Sequence, residues 1–175
     1  MSLLSRFVVF VPACLLCPIL QAKFDENKTA WNTEIRSYLQ QNGISVIQMP
    51  CSETSFQSPH SGMGRKPHGV SFYEKLPGYT EHSRTLAHGV ADQIQDLITN
   101  GYSVVILGIE HSPSCAVSYI YMGPGRGPVH RSGIFIQALR DELNARNINV
   151  PMIGINRRFP KKAISELCNV LQTHI

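Results

Sequence analysis

The chain has 175 residues, of which 43% are hydrophobic and 16% charged, and its net charge is +4. This length and composition predict one globular domain, residues 1–175, with a full hydrophobic core. The positive charge is too small and too dispersed to indicate a nucleic-acid-binding surface. The five cysteines are an odd number spread along the chain, which argues against a disulfide scaffold and predicts reduced thiols in the cytoplasm.

The first apolar run, Phe7 to Val11, contains mostly β-branched and aromatic residues and predicts a buried strand that ends at Pro12. Because Arg6 precedes it, the run also resembles the apolar part of a signal peptide. Pro12 interrupts that run, however, and the residues before Lys23 match a cleavage site poorly. We therefore expect a strand followed by a loop through Pro18, and no membrane-spanning segment.

Helices and strands alternate along the rest of the chain. Apolar residues at helical spacing predict helices at Thr29–Gln41, Ser83–Thr99, Gly133–Arg146 and Pro160–Thr173. Short apolar runs predict further strands at Ile44–Met49, Ser103–Leu107 and Met152–Ile155. This order indicates a single Rossmann-like α/β domain, with a parallel sheet of about four strands flanked by helices. Gly108 is expected to end the third strand.

Two long segments, residues 52–80 and 110–132, show neither helical nor strand periodicity. They are expected to lie over the functional site of the domain. The first is rich in Ser, Gly, Pro and His, and we interpret it as a lid or substrate loop, since such long irregular segments are usually functional. The second contains the glycine-rich run Gly123–Gly127, which matches neither a Walker motif nor a dinucleotide fingerprint. Arg126 in this run is a candidate for contacting an anionic group.

Three cysteines, Cys14, Cys51 and Cys115, directly follow predicted strands. The carboxyl ends of parallel strands open on one edge of the sheet, where α/β proteins bind ligands, so these thiols are expected to converge on one crevice. Three thiolates suit a soft metal site, either zinc or an iron–sulfur cluster with one iron lacking a protein ligand. Cys168, on the apolar face of the last helix, is expected to be a buried core residue far from that crevice.

Three other interpretations of these thiols remain open. A Zn²⁺ ion would need a fourth ligand, which Cys17 or His111 could provide. Alternatively, Cys115 is a nucleophile that His111 activates, and no metal is involved. The last alternative is a non-catalytic α/β domain that binds a small ligand.

The sequences around the three cysteines resemble the thiouracil desulfidase (TudS-like) family. The similar segments are Ala13-Cys14-Leu15-Leu16, Gln48–Glu53 and Gly108–Cys115. The match runs in the same order from the first predicted strand to the third predicted helix, a span that covers most of the chain. The Ser-Pro-Ser-Cys motif at the end of the third segment is the most specific part. The resemblance implies a [4Fe-4S] cluster held by the three cysteines, with the fourth iron free to take sulfur from a thiolated pyrimidine, a small nucleobase-like substrate.

The chain departs from the family pattern at three positions. Cys17 stands where the family more often has a residue such as Asn, Ser52 where it has Pro, and Ala116 where Gly is common. A fourth thiol from Cys17 would occupy the open iron and leave a structural or electron-transfer centre. We expect Cys17 to turn away from the cluster, as the corresponding loop does in the family.

The reaction implied by the resemblance is hydrolysis of a carbon–sulfur double bond. Glu53, two residues after the second cysteine, is the candidate base that activates water, unless it is a solvated loop carboxylate. Ser112 and Ser114 are candidate hydrogen-bond donors to the substrate or to cluster sulfur. The alternative role for both serines is a turn built around Pro113. His111 is either an accessory donor or an ordinary loop residue.

Overall fold

The computed structural model describes residues 6–22, 30–56 and 66–173. Its strands are β1 (Phe7–Pro12), β2 (Ser45–Met49), β3 (Ser103–Ile109), β4 (Tyr119–Tyr121), β5 (Pro128–His130) and β6 (Met152–Ile155). Its α-helices are α1 (Ala13–Leu16), α2 (Ala30–Gln41), α3 (Ser52–Ser55), α4 (Val70–Glu74), α5 (Tyr79–Thr99), α6 (Ile134–Ala145) and α7 (Pro160–Thr173). None of the helices in the described ranges is both long enough and apolar enough to cross a membrane.

Four parallel strands form the main sheet in the order β2-β1-β3-β6, which confirms the predicted Rossmann-like α/β fold. Strand β1 is central, because Val8 pairs with Ser45 of β2 on one side and with Val104 of β3 on the other. The chain adds β2 on one side of β1 and then crosses to β3 on the other. The topological switch point, where open α/β sheets bind ligands, therefore lies between β1 and β3.

The sheet is covered on both faces, which explains why β1 is apolar at every position. Its residues Phe7, Val9 and Val11 belong to a core that includes buried side chains of α2 and α7. Val8 and Phe10 point the other way, into a core that includes buried side chains of α5 and α6. The resulting helix–sheet–helix sandwich leaves the carboxyl ends of the strands as an open edge.

A third apolar cluster is formed mainly by residues of the two segments that are predicted to be irregular, 52–80 and 110–132. It contains Val70 and Tyr73 of α4, Tyr79 of α5, Ile120 of β4 and Ile134 of α6. Its core is fully buried, since Tyr73, Tyr79 and Ile120 are all 0% exposed. Both segments are therefore tied to the body of the domain in the parts that the structure describes.

The segment 52–80 is more regular than predicted, because it contains α3, α4 and the start of α5. The last of these helices begins at Tyr79 rather than Ser83, directly after Gly78, whose positive φ of 81° suits glycine. Residues 57–65 lie outside the described residues, so the interpretation of this segment as a lid stays a prediction.

Three other boundaries also differ from prediction. The segment 110–132 contains a small antiparallel hairpin of β4 and β5. The predicted loop after β1 is instead helix α1 followed by a 3₁₀ turn at Pro18–Leu20. Strand β3 continues through Gly108 to Ile109, so the glycine does not end it. For β3 the physical reason is that the backbone of the Cys115 loop packs closely against Gly108.

Candidate functional site

A cavity of about 920 Å³ lies at the carboxyl edge of the sheet, and its wall includes Cys14, Cys51 and Cys115. All five cysteines lie in the described ranges and are free thiols. Cys17 and Cys168 are not part of this wall. The structure thus brings together the three cysteines that follow β1, β2 and β3.

The remainder of the wall combines planar rings with polar and charged groups. Its ring-bearing residues are Trp31, His68, His111, Tyr121 and Phe159, and its other polar groups include Gln21, Glu53, Ser112, Asn156, Arg157 and Arg158. Both arginines are exposed, in the turn between β6 and α7. The fold thus places two positive charges at the cavity.

The loop that carries Cys115 folds back tightly against β3. The carbonyl oxygen of Cys115 accepts a hydrogen bond of 2.9 Å from the backbone N–H of Ile109. A side chain at Gly108 would place its Cβ only 2.3 Å from that oxygen. A Cβ at Gly133 would similarly lie 2.4 Å from the backbone of Ser114. Gly108 is therefore needed for close backbone approach within the strand, which is why β3 does not end there.

Ser112 and helix α6 fix the conformation of the same loop. The hydroxyl oxygen of Ser112 accepts hydrogen bonds from the backbone N–H groups of Ser114 and Cys115, at 3.2 and 3.0 Å. At the start of α6, the N–H of Ile134 donates to the carbonyl of Pro113 at 2.9 Å. Ser112 thus builds the turn around Pro113, as one of the two interpretations held, and it also lines the cavity.

Cys51 and Glu53 are positioned by the short helix α3. The carbonyl of Cys51 accepts a hydrogen bond of 3.0 Å from the N–H of Ser55, which starts the helix immediately after the cysteine. Glu53 in its first turn is only 6% exposed, so it is not a solvated loop carboxylate. The hydroxyl of Tyr73, on α4, donates a hydrogen bond of 3.0 Å to Glu53 Oε2. The fold therefore presents a buried, oriented carboxylate at the cavity wall.

Cys14 is held mainly through the side chain of Asn32, on α2. The amide nitrogen of Asn32 donates to the carbonyls of Cys14 and Leu15, at 2.8 and 3.1 Å. The Asn32 oxygen accepts a hydrogen bond of 3.3 Å from Gln21, whose own oxygen accepts one of 3.4 Å from Arg157. A chain of polar contacts thus connects the arginines at the cavity to the backbone around the first cysteine.

Burial raises the pKa of the Cys115 thiol well above its ordinary value, and negative charge on Cys51 and on Cys14 adds to the effect. The hydrogen bond with Ser114 acts in the opposite direction, and Glu53 adds a further increase. These interactions show that Cys14, Cys51 and Glu53 lie within electrostatic reach of Cys115. A nucleophile and a metal ligand both need the thiolate form, so the metal-free alternative with Cys115 as nucleophile stays a hypothesis.

Three buried hydroxyl groups connect α3, α5 and the Cys115 loop. The Ser52 hydroxyl lies 2.9 Å from the Tyr79 hydroxyl and 2.7 Å from that of Ser114. The Ser114 oxygen in turn lies 3.6 Å from the sulfur of Cys115. Burial raises the pKa of Tyr79, and the charge of Glu53 raises it further.

The remaining candidate residues do not converge in the same way. His111 lines the cavity but is itself exposed, with a positive φ of 68° and its N–H bonded to the carbonyl of Tyr119 at 2.7 Å. Arg126 is exposed in the glycine-rich loop and is not part of the cavity wall. Cys17 caps α1 by donating from its N–H to the carbonyl of Ala13 at 2.9 Å.

The position of Cys168 also differs from prediction. This thiol is only half-buried, and its contact with the Tyr38 hydroxyl on α2 is one cause of the raised pKa of that tyrosine, after burial. Cys168 therefore lies between α2 and α7, on one face of the sheet, rather than deep in the core. It remains outside the cavity wall, as expected.

The thiols as they stand do not form a site for a single ion. Within the ranges that the structure describes, no group of three or more His, Cys, Asp or Glu side chains is arranged so that it could hold a metal ion. The zinc alternative, in which Cys17 or His111 completes a tetrahedral site with the three thiols, stays a hypothesis. Thiolates are ligands of the type that soft metals prefer.

Sequence reasoning missed Asn32, Tyr73 and Tyr79. Asn32 carried a signal, since it interrupts the apolar stripe of α2 between Trp31 and Ile35, and a buried amide needs partners. The two tyrosines come from a segment without periodicity, so only the folded chain shows where their hydroxyls lie.

A comparison of the chain with protein-family models, with curated proteins and with solved structures finds no match to any of them. The cavity and the residues in its wall are therefore the basis for assigning a function. Their thiols, their buried carboxylate and their planar rings define the chemistry that is available.

Proposed function

We propose that Cys14, Cys51 and Cys115 hold a [4Fe-4S] cluster and that the protein is a desulfidase. Its substrate is a thiolated pyrimidine or a related thiocarbonyl compound, whose carbon–sulfur double bond it hydrolyses. One observation carries the proposal: thiols that follow three neighbouring strands line a single cavity together with a buried carboxylate.

The donor set suits a cluster better than a single ion. In a cubane each thiolate binds a different iron, so the ligands need not approach each other as closely as the ligands of one ion do. Negative charge on Cys51 and on Cys14 adds to the effect of burial in raising the pKa of Cys115. A bound metal cation favours the thiolate form, because a coordinating thiol loses its proton.

When bound, the cluster supplies a Lewis-acidic iron that carries no protein ligand and has an affinity for sulfur. Glu53 accepts a proton from the water that attacks the thiocarbonyl carbon, and Tyr73 keeps the carboxylate oriented through its hydrogen bond. The water oxygen forms the new carbonyl group, the carbon–sulfur bond breaks, and the sulfur leaves as hydrogen sulfide. No electrons are transferred overall, so the reaction needs no oxidant or reductant.

The cavity also suits a flat heterocyclic substrate. Trp31 and Tyr121 contribute aromatic rings to its wall, and aromatic side chains pack well against flat heterocycles. Arg157 and Arg158 add positive charge at the same cavity. A volume of about 920 Å³ is in the range of pockets that bind small molecules.

The metal content tests the cluster directly. We expect anaerobically prepared wild-type protein to contain about four iron and four sulfide per chain and to absorb visible light. Cys14→Ser, Cys51→Ser and Cys115→Ser should each lose most of this iron. Cys168→Ser is the matched control, because this thiol lies outside the cavity, and it should keep the wild-type content. Equal iron in the Cys115→Ser and Cys168→Ser variants would contradict the proposal.

Sulfide release from 4-thiouracil tests the reaction. Glu53→Gln should keep the cluster but lose activity by about a hundredfold or more, since the amide cannot accept the proton from water. Cys17→Ser should keep both cluster and activity. A Cys17→Ser protein that loses its iron would indicate a four-cysteine site with no open iron, and the hydrolytic mechanism would then fail.

A further inference from the structure

The hydroxyl groups of Tyr79, Ser52 and Ser114 form a buried connection to Cys115 that the proposed hydrolysis does not use. All three residues are 0% exposed, and Cys115 is 7% exposed. The successive contacts are 2.9 Å from Tyr79 to Ser52, 2.7 Å from Ser52 to Ser114 and 3.6 Å from Ser114 to the Cys115 sulfur. The connection joins α5 to the loop that follows β3 by way of α3.

The number of protons fixes the direction of these hydrogen bonds once Cys115 is a thiolate. A thiolate sulfur can only accept, so the hydroxyl of Ser114 has to donate to it. Ser114 then has no proton left for Ser52, so Ser52 donates to Ser114. By the same reasoning Tyr79 donates to Ser52. Each hydroxyl therefore donates one hydrogen bond. All of these bonds point towards the sulfur, so that they strengthen one another.

Tyr79 is held in place to start this series. It is the first residue of α5, and its backbone N–H donates to the carbonyl of Leu76 at 3.1 Å. Its ring packs against Phe56 and Tyr73, with centroid distances of 5.4 and 4.7 Å. Burial also raises its pKa, so the phenol keeps the proton that it has to donate.

We propose that Tyr79 is a positioning residue for the metal site, which acts through Ser52 and Ser114 to direct a hydrogen bond onto the sulfur of Cys115. This inference rests on the proposed function, because it needs Cys115 to be a ligand thiolate. Ser52 is essential to it, because its hydroxyl contacts the hydroxyls of both Tyr79 and Ser114.

The consequence is a higher reduction potential for the cluster. Hydrogen bonds to ligand sulfur stabilise the added negative charge of the reduced state, and they are among the main determinants of cluster potentials. Removing a donor should therefore lower the midpoint potential. The effect should be largest for the donor next to the sulfur and should decrease with each further bond.

A series of variants of the full chain with cluster bound tests this expectation by redox titration. We expect the midpoint potential to fall in Ser114→Ala, by less in Ser52→Ala and by least in Tyr79→Phe. Tyr79 also interacts directly with the Ser114 side chain, so Ser114→Ala removes both routes from Tyr79 to the sulfur. Adding Tyr79→Phe to Ser114→Ala should therefore cause no further shift. Tyr102→Phe is the matched control, since this tyrosine lies at the opposite end of β3 and is 41% exposed. Its potential should equal that of the wild type.

The outcomes separate this inference from the proposed function. A wild-type protein without iron would overturn both. A cluster whose potential is the same in Tyr79→Phe, Ser52→Ala and wild type would overturn the role of Tyr79 alone, with the desulfidase proposal intact. A shift from Tyr79→Phe that persists in the Ser114→Ala background would also overturn it, because it would show that Tyr79 acts through packing. Iron analysis and circular dichroism on each variant identify any that fail to fold or to bind the cluster, and Ser52→Ala then decides in place of a lost Tyr79→Phe.

Discussion

The loops that carry Cys115 and Cys14 occupy neighbouring strand ends, yet they are held in different ways. The Cys115 loop is fixed by backbone contacts to β3 and α6, and two glycines allow its close approach. Cys14 itself is half-buried between the buried residues Ala13 and Leu15, and a single side chain, Asn32, binds two carbonyls of this segment. The difference teaches that the Cys115 loop depends on backbone packing, whereas the Cys14 segment depends on one polar side chain, which can be removed without unfolding the domain.

The largest expected effect is the loss of stability from a substitution at Gly108, against which the Cys115 loop packs. Gly108→Ala would push a methyl group against the Cys115 carbonyl, 2.3 Å from the ideal Cβ, and backbone cannot move aside easily. We expect the free energy of unfolding to fall by about 3 kcal/mol, measured by urea denaturation.

Gly89→Ala on α5 is the control for this substitution, because a Cβ there meets nothing within 4 Å. The control should be neutral or should stabilise the protein by about 0.5–1 kcal/mol, as expected for a helix interior. Equal denaturation midpoints for Gly108→Ala and wild type would show that the loop is looser than the structure indicates.

A smaller loss of stability is expected from a substitution of Asn32, which holds the Cys14 segment. Asn32 is 1% exposed, and Asn32→Ala removes three hydrogen bonds, two donated to carbonyls and one accepted from Gln21. This loss should cost about 2 kcal/mol and leave the domain folded. The iron content should fall more than the stability suggests, since Cys14 loses its support. Asn42→Ala is the control, because this exposed asparagine also donates to a carbonyl, that of Tyr38 at 2.8 Å. Similar iron loss in both variants would remove the distinction between the two loops.

The smallest effect concerns the third loop, which carries Cys51. Ser55 of α3 lies 2.8 Å from the Nε2 atom of His82 on α5, and burial lowers the pKa of that histidine below its ordinary 6.5. The unfolded chain then binds more protons at this position, so the contribution of His82 to stability is present above pH 6.5 and is lost as the pH falls below that value.

Urea midpoints of wild type and His82→Gln at about pH 7.5 and 5.5 measure this effect. The wild-type midpoint should fall more on acidification than that of the variant. A parallel fall in both proteins would mean that the contact between α3 and α5 does not respond to pH.

Much of the fold follows from local patterns in the sequence. The strand Met152–Ile155 and the helix Pro160–Thr173 have the predicted bounds, because an apolar run and a helical stripe with a proline in the first turn mark them clearly. The short helices α3 and α4 were not predicted. Helices of four or five residues are not stable on their own, so only contacts such as Tyr73 to Glu53 explain them.

The candidate site could likewise be predicted only in part. Cys14, Cys51 and Cys115 could be placed at one cavity because each follows a strand of a parallel sheet, and the direction of the strands fixes the edge. Their neighbours could not, since Asn32 and Tyr79 reach the site from helices whose sequence pattern shows which face is buried but not which carbonyl or hydroxyl it meets.

The only tryptophan of the chain, Trp31, lies in the wall of the cavity that also contains Cys14, and it is 4% exposed. The tryptophan fluorescence of the protein therefore comes from one position, in the same cavity wall as the thiols. An iron–sulfur chromophore absorbs where indole emits, so assembly of a cluster should quench that emission, and a flat ligand stacked on the ring should change it again. The protein carries its own optical probe, and loading and ligand entry can be followed in real time without a label.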